Sequence, residues 1–117
     1  MEKLFDGEYR LLEILWDSGP LNSTRLAALC AQRLGWSKST TYTVLRKLKQ
    51  KGAVRHEDAV VTPLLSREDT LREQGEELAR RAGGWVPFLT AFISGRKLTE
   101  REAEALKRLI DEKMGEG

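Results

Sequence analysis

Only two residues, Gly35 and Trp36, separate two amphipathic helical segments, and nothing else in the chain restricts its fold so sharply. The first segment opens at Asn22, a good N-cap. Leu21 and Leu26 flank it at the spacing of a hydrophobic staple. Leu26, Leu29, Cys30 and Leu34 share one face, and Gly35 suits the left-handed position that closes a helix. The second segment opens at Ser37, again an N-cap, and stops at Gly52. Its apolar stripe is Thr41, Val44, Leu45 and Leu48. A link this short forces the two helices against each other at a steep angle, the helix-turn-helix arrangement.

The surrounding elements fit around that pair. Tyr9, Leu12, Leu15 and Trp16, thickened by Leu11 and Ile14, predict a first helix from about Asp6 to Asp17, with Asp6 and Glu8 favourable at its positive end. Ser18-Gly19-Pro20 breaks it. After Gly52, two β-type runs, 53–56 and 59–62, flank the polar pair Glu57-Asp58 and predict a hairpin. Ser66 and Asp69 open a fourth helix to about Ala82. Trp85 to Ile93 is the most apolar segment and reads as a short helix with Pro87 in its first turn. Thr99 and Glu102 form a capping box, after Leu98, for a last helix to about Lys113. The expected fold class is mainly α with a small β-hairpin: a winged helix-turn-helix domain over 1–65, then a helical region over 66–117.

Charge is distributed very unevenly. The chain holds 20 basic and 18 acidic residues in 117, a net +2 that says little by itself. Residues 18–56, however, carry Arg25, Arg33, Lys38, Arg46, Lys47, Lys49, Lys51 and Arg55 and no acid. The flanking segments, 1–17 and 57–117, are each at −3. An acid-free basic stretch centred on a helix-turn-helix is an electrostatic footprint for nucleic acid. The bland counterpart is a solvated basic face.

The third helix divides into two sides at about 100° per residue. Opposite the apolar stripe lie Ser39, Thr43, Arg46 and Gln50, with Tyr42 and Lys47 at the flanks. Short hydroxyls permit close approach to a groove, and Arg is the commonest reader of guanine. Ser37, Lys38, Ser39 and Thr40 at the helix start suit a phosphate. Lys49, Gln50, Lys51 and Arg55 would touch backbone phosphates, setting affinity rather than sequence. The tip Glu57-Asp58 would repel a phosphate. His56 is a wing contact or an ordinary strand residue.

Other classes recede. The apolar runs are far below the ~20 residues of a membrane span, and the first residues lack a signal peptide's pattern, so a cytoplasmic protein without membrane insertion is expected. One cysteine, Cys30, and one histidine, His56, make neither an internal disulfide nor a metal cluster. Cys30 reads as a small core residue. No catalytic triad or paired-carboxylate pocket can be assembled, so no enzyme, no metal and no cofactor are expected.

The run Trp36-Ser37-x-x-Thr40-Thr41-x-Thr43-x-Leu45-x-Lys47-Leu48-x-x-Lys51-Gly52-x-Val54 resembles the penicillinase repressor family of winged-helix regulators, which includes copper-responsive relatives. Asp6-x-Glu8-Tyr9, Ile14-Leu15-Trp16 and Gly19-Pro20-Leu21 resemble its first helix and turn. The match is strong over 6–56 and looser over 57–117. The resemblance implies a homodimeric transcriptional repressor on an inverted-repeat, double-stranded DNA operator. It assigns groove reading to Ser39, Thr40, Tyr42, Thr43 and Lys47, although Ser39 and Tyr42 replace the Lys and Gln of well-known members. It assigns the dimer to Leu71, Leu78, Trp85, Phe88, Leu89, Phe92, Ile93, Leu106, Leu109 and Ile110, which could otherwise pack a monomeric core. It also implies a membrane sensor protease as a partner. Here, however, Ala91-Phe92 stands where responsive members carry the cleaved Asn–Phe bond, and the copper branch's C-terminal cysteine hook is absent. The alternative is a winged-helix protein-interaction module that has lost DNA binding.

Overall fold

A computed structural model describes residues 3–115. Its elements run α1 (Asp6–Ser18), β1 (Leu21–Asn22), α2 (Ser23–Leu34), α3 (Lys38–Gln50), β2 (Val54–Glu57), β3 (Val60–Pro63), α4 (Arg67–Arg81), α5 (Trp85–Ser94) and α6 (Glu100–Gly115). The fold is mainly α with a small antiparallel sheet, a winged helix-turn-helix followed by a helical region. The chain divides into two compact units, Met1–Arg72 and Glu73–Gly117, and the division falls within α4.

In the first unit, caps fix the helix starts. The Asn22 side chain accepts from the Thr24 N–H at 2.8 Å, and Ser37 Oγ accepts from the Thr40 N–H at 3.1 Å. The turn between α2 and α3 rests on Gly35. Its φ of 70° and ψ of 21° are left-handed, a conformation that costs a β-carbon-bearing residue roughly 1–2 kcal/mol. The core forms where α1, α2, α3 and the sheet meet. Leu11, Leu12, Leu15, Leu26, Cys30, Leu48 and Val61 are fully buried, and Thr41 joins them. Its hydroxyl donates to the Ser37 carbonyl at 3.2 Å, which makes a polar side chain tolerable there. Burial and loss of hydration push the Cys30 thiol pKa up, against a smaller opposing effect of its hydrogen bond with Thr41.

The sheet departs from the sequence expectation in two ways. It has three strands, in the order β1-β3-β2, because Leu21 and Asn22 pair with Val61 and Val60. The hairpin turn also lies one residue later than expected. It is formed by Asp58 and Ala59, whose φ angles of 52° and 63° are both positive, as a type I′ turn requires. Core packing decides this register. His56 pairs with Val61 and Val54 with Pro63, so Val54 and Val61 share the inward face. A one-residue slip would turn one strand's inward set outward.

At the end of the sheet, Trp16 Nε1 donates to the Leu65 carbonyl at 2.8 Å, and its ring meets Tyr9 edge-on. Arg67 lies over the same indole and pairs with Asp17 at 2.9 Å. In the second unit, the expected Thr99–Glu102 capping box is reciprocal, at 3.0 and 3.1 Å. Neither α5 nor α6 contains a buried residue.

Candidate nucleic-acid interface

Helix α3 presents a polar face built by its own periodicity. Thr41, Leu45 and Leu48 anchor it in the core, which leaves Lys38, Ser39, Thr40, Thr43, Arg46, Lys47, Lys49 and Gln50 exposed. Tyr42 is half-buried at one flank.

The hydroxyls on this face are oriented by internal bonds. Thr43 Oγ1 donates to the Ser39 carbonyl at 3.0 Å, so its lone pairs point outward as acceptors. Ser37 Oγ accepts from the Thr40 N–H and donates to Thr40 Oγ1 at 3.0 Å. Thr40 therefore retains a hydroxyl hydrogen for an outside acceptor, at the positive end of the helix.

The cations fall into two groups. Arg25, Arg33, Lys38, Arg46, Lys47 and Lys49 make no ion pair among the described residues. In α4, by contrast, Arg72 pairs with Glu68 and Asp69, and Arg80 and Arg81 pair with Glu77. The acid-free stretch is thus also largely free of internal neutralisation. Arg55 is exposed on β2 and approaches its neighbour Glu57 at 3.7 Å, which offsets part of the wing's acidity.

Lys51 lies elsewhere. Its ammonium donates to Glu8 Oε1 at 2.7 Å and to the Lys3 carbonyl at 2.7 Å, beneath the Phe5 ring. Its side chain is only 11% exposed and that of Glu8 4%. A phosphate contact by Lys51 would require it to abandon this pair. The signal was present in the sequence: Glu8 falls on the apolar face of α1 at i, i+3, i+4 and i+7 with Leu11, Leu12 and Leu15.

One further grouping arises only in the folded chain. Tyr42, Arg46 and Lys49 line a recess of about 190 Å³ together with Leu45 and His56. Lys49 and His56 come together only once β2 is laid beside α3.

The residues expected at a dimer contact lie on α4, α5 and α6. Leu71, Leu78, Trp85, Leu89, Phe92, Leu106, Leu109 and Ile110 are exposed, Trp85 at 66% and Ile110 at 57%. Phe88 and Ile93 are half-buried. Phe88 and Phe92 are tilted rings 6.3 Å apart, and Arg96 lies over Phe92. The bond between Ala91 and Phe92 lies inside α5. Among the described residues no helix is long and apolar enough to cross a membrane, and no group of three or more metal-ligating side chains occurs.

The family model described as penicillinase repressor matches residues 5–112. A penicillinase repressor from Bacillus licheniformis is 22% identical over 116 residues, covering 94% of this chain and 91% of that protein.

Proposed function

The chain belongs to the penicillinase repressor family and is a DNA-binding transcriptional repressor in the general sense; on that footing we propose that it acts as a homodimer on an inverted-repeat operator. The observation that carries this reading is the outward face of α3, where Ser39, Thr40, Thr43, Arg46 and Lys47 stand exposed beside cations that no acid among the described residues neutralises.

In this reading residues 1–65 are the reading head. Helix α3 enters the major groove, as the second helix of such a motif does. Thr43 and Lys47 address base edges, with Ser39 and Tyr42 beside them. Ser37, Lys38 and Thr40 meet a phosphate at the helix start, and Arg55 meets another from the wing. Residues 66–117 pair two copies. Leu71, Leu78, Trp85, Leu89, Phe92, Leu106, Leu109 and Ile110 supply apolar surface that a lone subunit leaves in water, and Phe88 and Ile93 complete it. A two-fold dimer would match the symmetry of an inverted repeat. The protein carries no catalytic role in this scheme. A membrane sensor protease is its upstream partner by family analogy, and Ala91 within α5 is the feature that speaks against cleavage there.

Binding measured against salt tests the reading. The logarithm of affinity for duplex DNA is expected to fall linearly with log salt, with a slope of about −0.9 per phosphate contacted. Binding that is absent, or flat in salt, would leave the protein-interaction module in its place.

A further inference from the structure

The recess between α3 and β2 has a composition that fits one kind of ligand group. Tyr42, Arg46 and Lys49, at i, i+4 and i+7, form one wall, Leu45 belongs to its lining, and His56 enters from β2. The polar groups available are a phenol, a guanidinium, an ammonium and an imidazole, all able to donate hydrogen bonds. No carboxylate lines the recess. Arg46 and Lys49 have no ion-pair partner among the described residues. The nearest acid in sequence is Glu57. It alternates with His56 to the opposite side of the strand, where it faces Arg55 at 3.7 Å. The pocket therefore holds uncompensated positive charge and no carboxylate to compete with a bound anion.

We propose that this recess is a phosphate seat, taking a phosphodiester of the duplex at the edge of the groove that α3 reads. The proposal rests on the DNA-binding reading; it adds His56, gives the phosphate contact expected of Lys49 a place in the fold, and moves Tyr42 and Arg46 from the base edges to the ridge. Geometry argues for a backbone phosphate rather than a base edge. An α-helix with its side chains is about 10–12 Å across, close to the roughly 12 Å width of the major groove. The face opposite the core then meets the bases, and the flanks meet the sugar-phosphate ridges. Tyr42, Arg46 and Lys49 lie on the flank turned toward β2, whereas Lys47 lies on the other. An arginine held beside His56 is directed at the ridge, so it contributes to affinity on any sequence.

The single histidine makes the test unambiguous, because imidazole resonances in the full chain report on His56 alone. Titration with a random-sequence duplex is expected to shift them saturably. Arg46→Ala and Lys49→Ala should each weaken random-duplex binding and reduce the salt slope by up to about 0.9, the value of one phosphate. Lys49→Arg should restore both. A duplex-bound wild type with unmoved His56 signals, or variants that keep the wild-type slope, would overturn the seat while leaving the repressor reading intact. A wild type that binds no duplex would remove both. Inorganic phosphate alone separates the sources. A saturable shift with phosphate but none with duplex would assign the recess to a free phosphate-bearing ligand and overturn the backbone assignment.

Discussion

Glu8 and Lys51 meet at 2.7 Å in the interior of the head, joining the first turn of α1 to the end of α3. The second oxygen of Glu8 has no partner among the described residues, so the pair is close but not fully satisfied. Removing one member strands the other charge, at a cost of about 3–5 kcal/mol. Glu8→Ala should therefore lower the urea midpoint strongly. The double variant Glu8→Met/Lys51→Met should recover most of that loss. A Glu8→Ala protein as stable as the parent would show that the pair is solvated in solution.

Thr43 offers acceptor lone pairs because its hydrogen is committed to the Ser39 carbonyl. Thr43→Val keeps the branched shape and removes the acceptor. Its affinity for the operator should drop about fivefold, the value of roughly one hydrogen bond, with random-duplex binding unchanged. Equal losses on both duplexes would place Thr43 against phosphate.

Phe92 is 54% exposed on a helix with no buried residue. Phe92→Asp should give a monomer in sedimentation velocity at concentrations where the parent is a dimer. The variant's head should keep its helical circular dichroism. An unchanged dimer would move the interface off α5.

Cys30 is held in its neutral form by burial. The unfolded chain gives up this proton near pH 8.5, whereas the folded chain retains it to higher pH. Above about 8.5 the folded state thus binds more protons, and stability falls as pH rises. Cys30→Ala should flatten that alkaline decline in thermal melts. Native protein should also react slowly with thiol reagents. An identical alkaline slope in the variant would assign the decline to other groups.

Helices α2, α3 and α6 were legible because each carries both a periodic apolar stripe and a side-chain cap. Asn22, Ser37 and Thr99 all accept the bonds their identities suggest. What stayed hidden depended on tertiary contact. A two-residue strand such as β1 has no period to read, and only its pairing with β3 defines it. The turn falls at Asp58-Ala59, one residue beyond the position the sequence favours, because Ala seldom adopts a positive φ but the inward positions of Val54 and Val61 prevail over that preference. Lys51 looked like one cation of a basic run because Glu8, its partner, is 43 residues away. The polar face of α3 followed from periodicity. The recess with His56 could not, since it joins two elements that the sequence lists apart.

The pairing of Leu21 with Val61 has a kinetic meaning as well. Helices α2 and α3 lie wholly within the loop that this pairing closes, and the Ser23 N–H secures it further on the Ala59 carbonyl at 2.8 Å. Closing so long a loop is entropically costly until the segments inside it are compact. The clasp is therefore a late event in folding, and an early one to open. Amide exchange at Ser23, whose N–H is held by the Ala59 carbonyl, would register its opening while the helices remain protected.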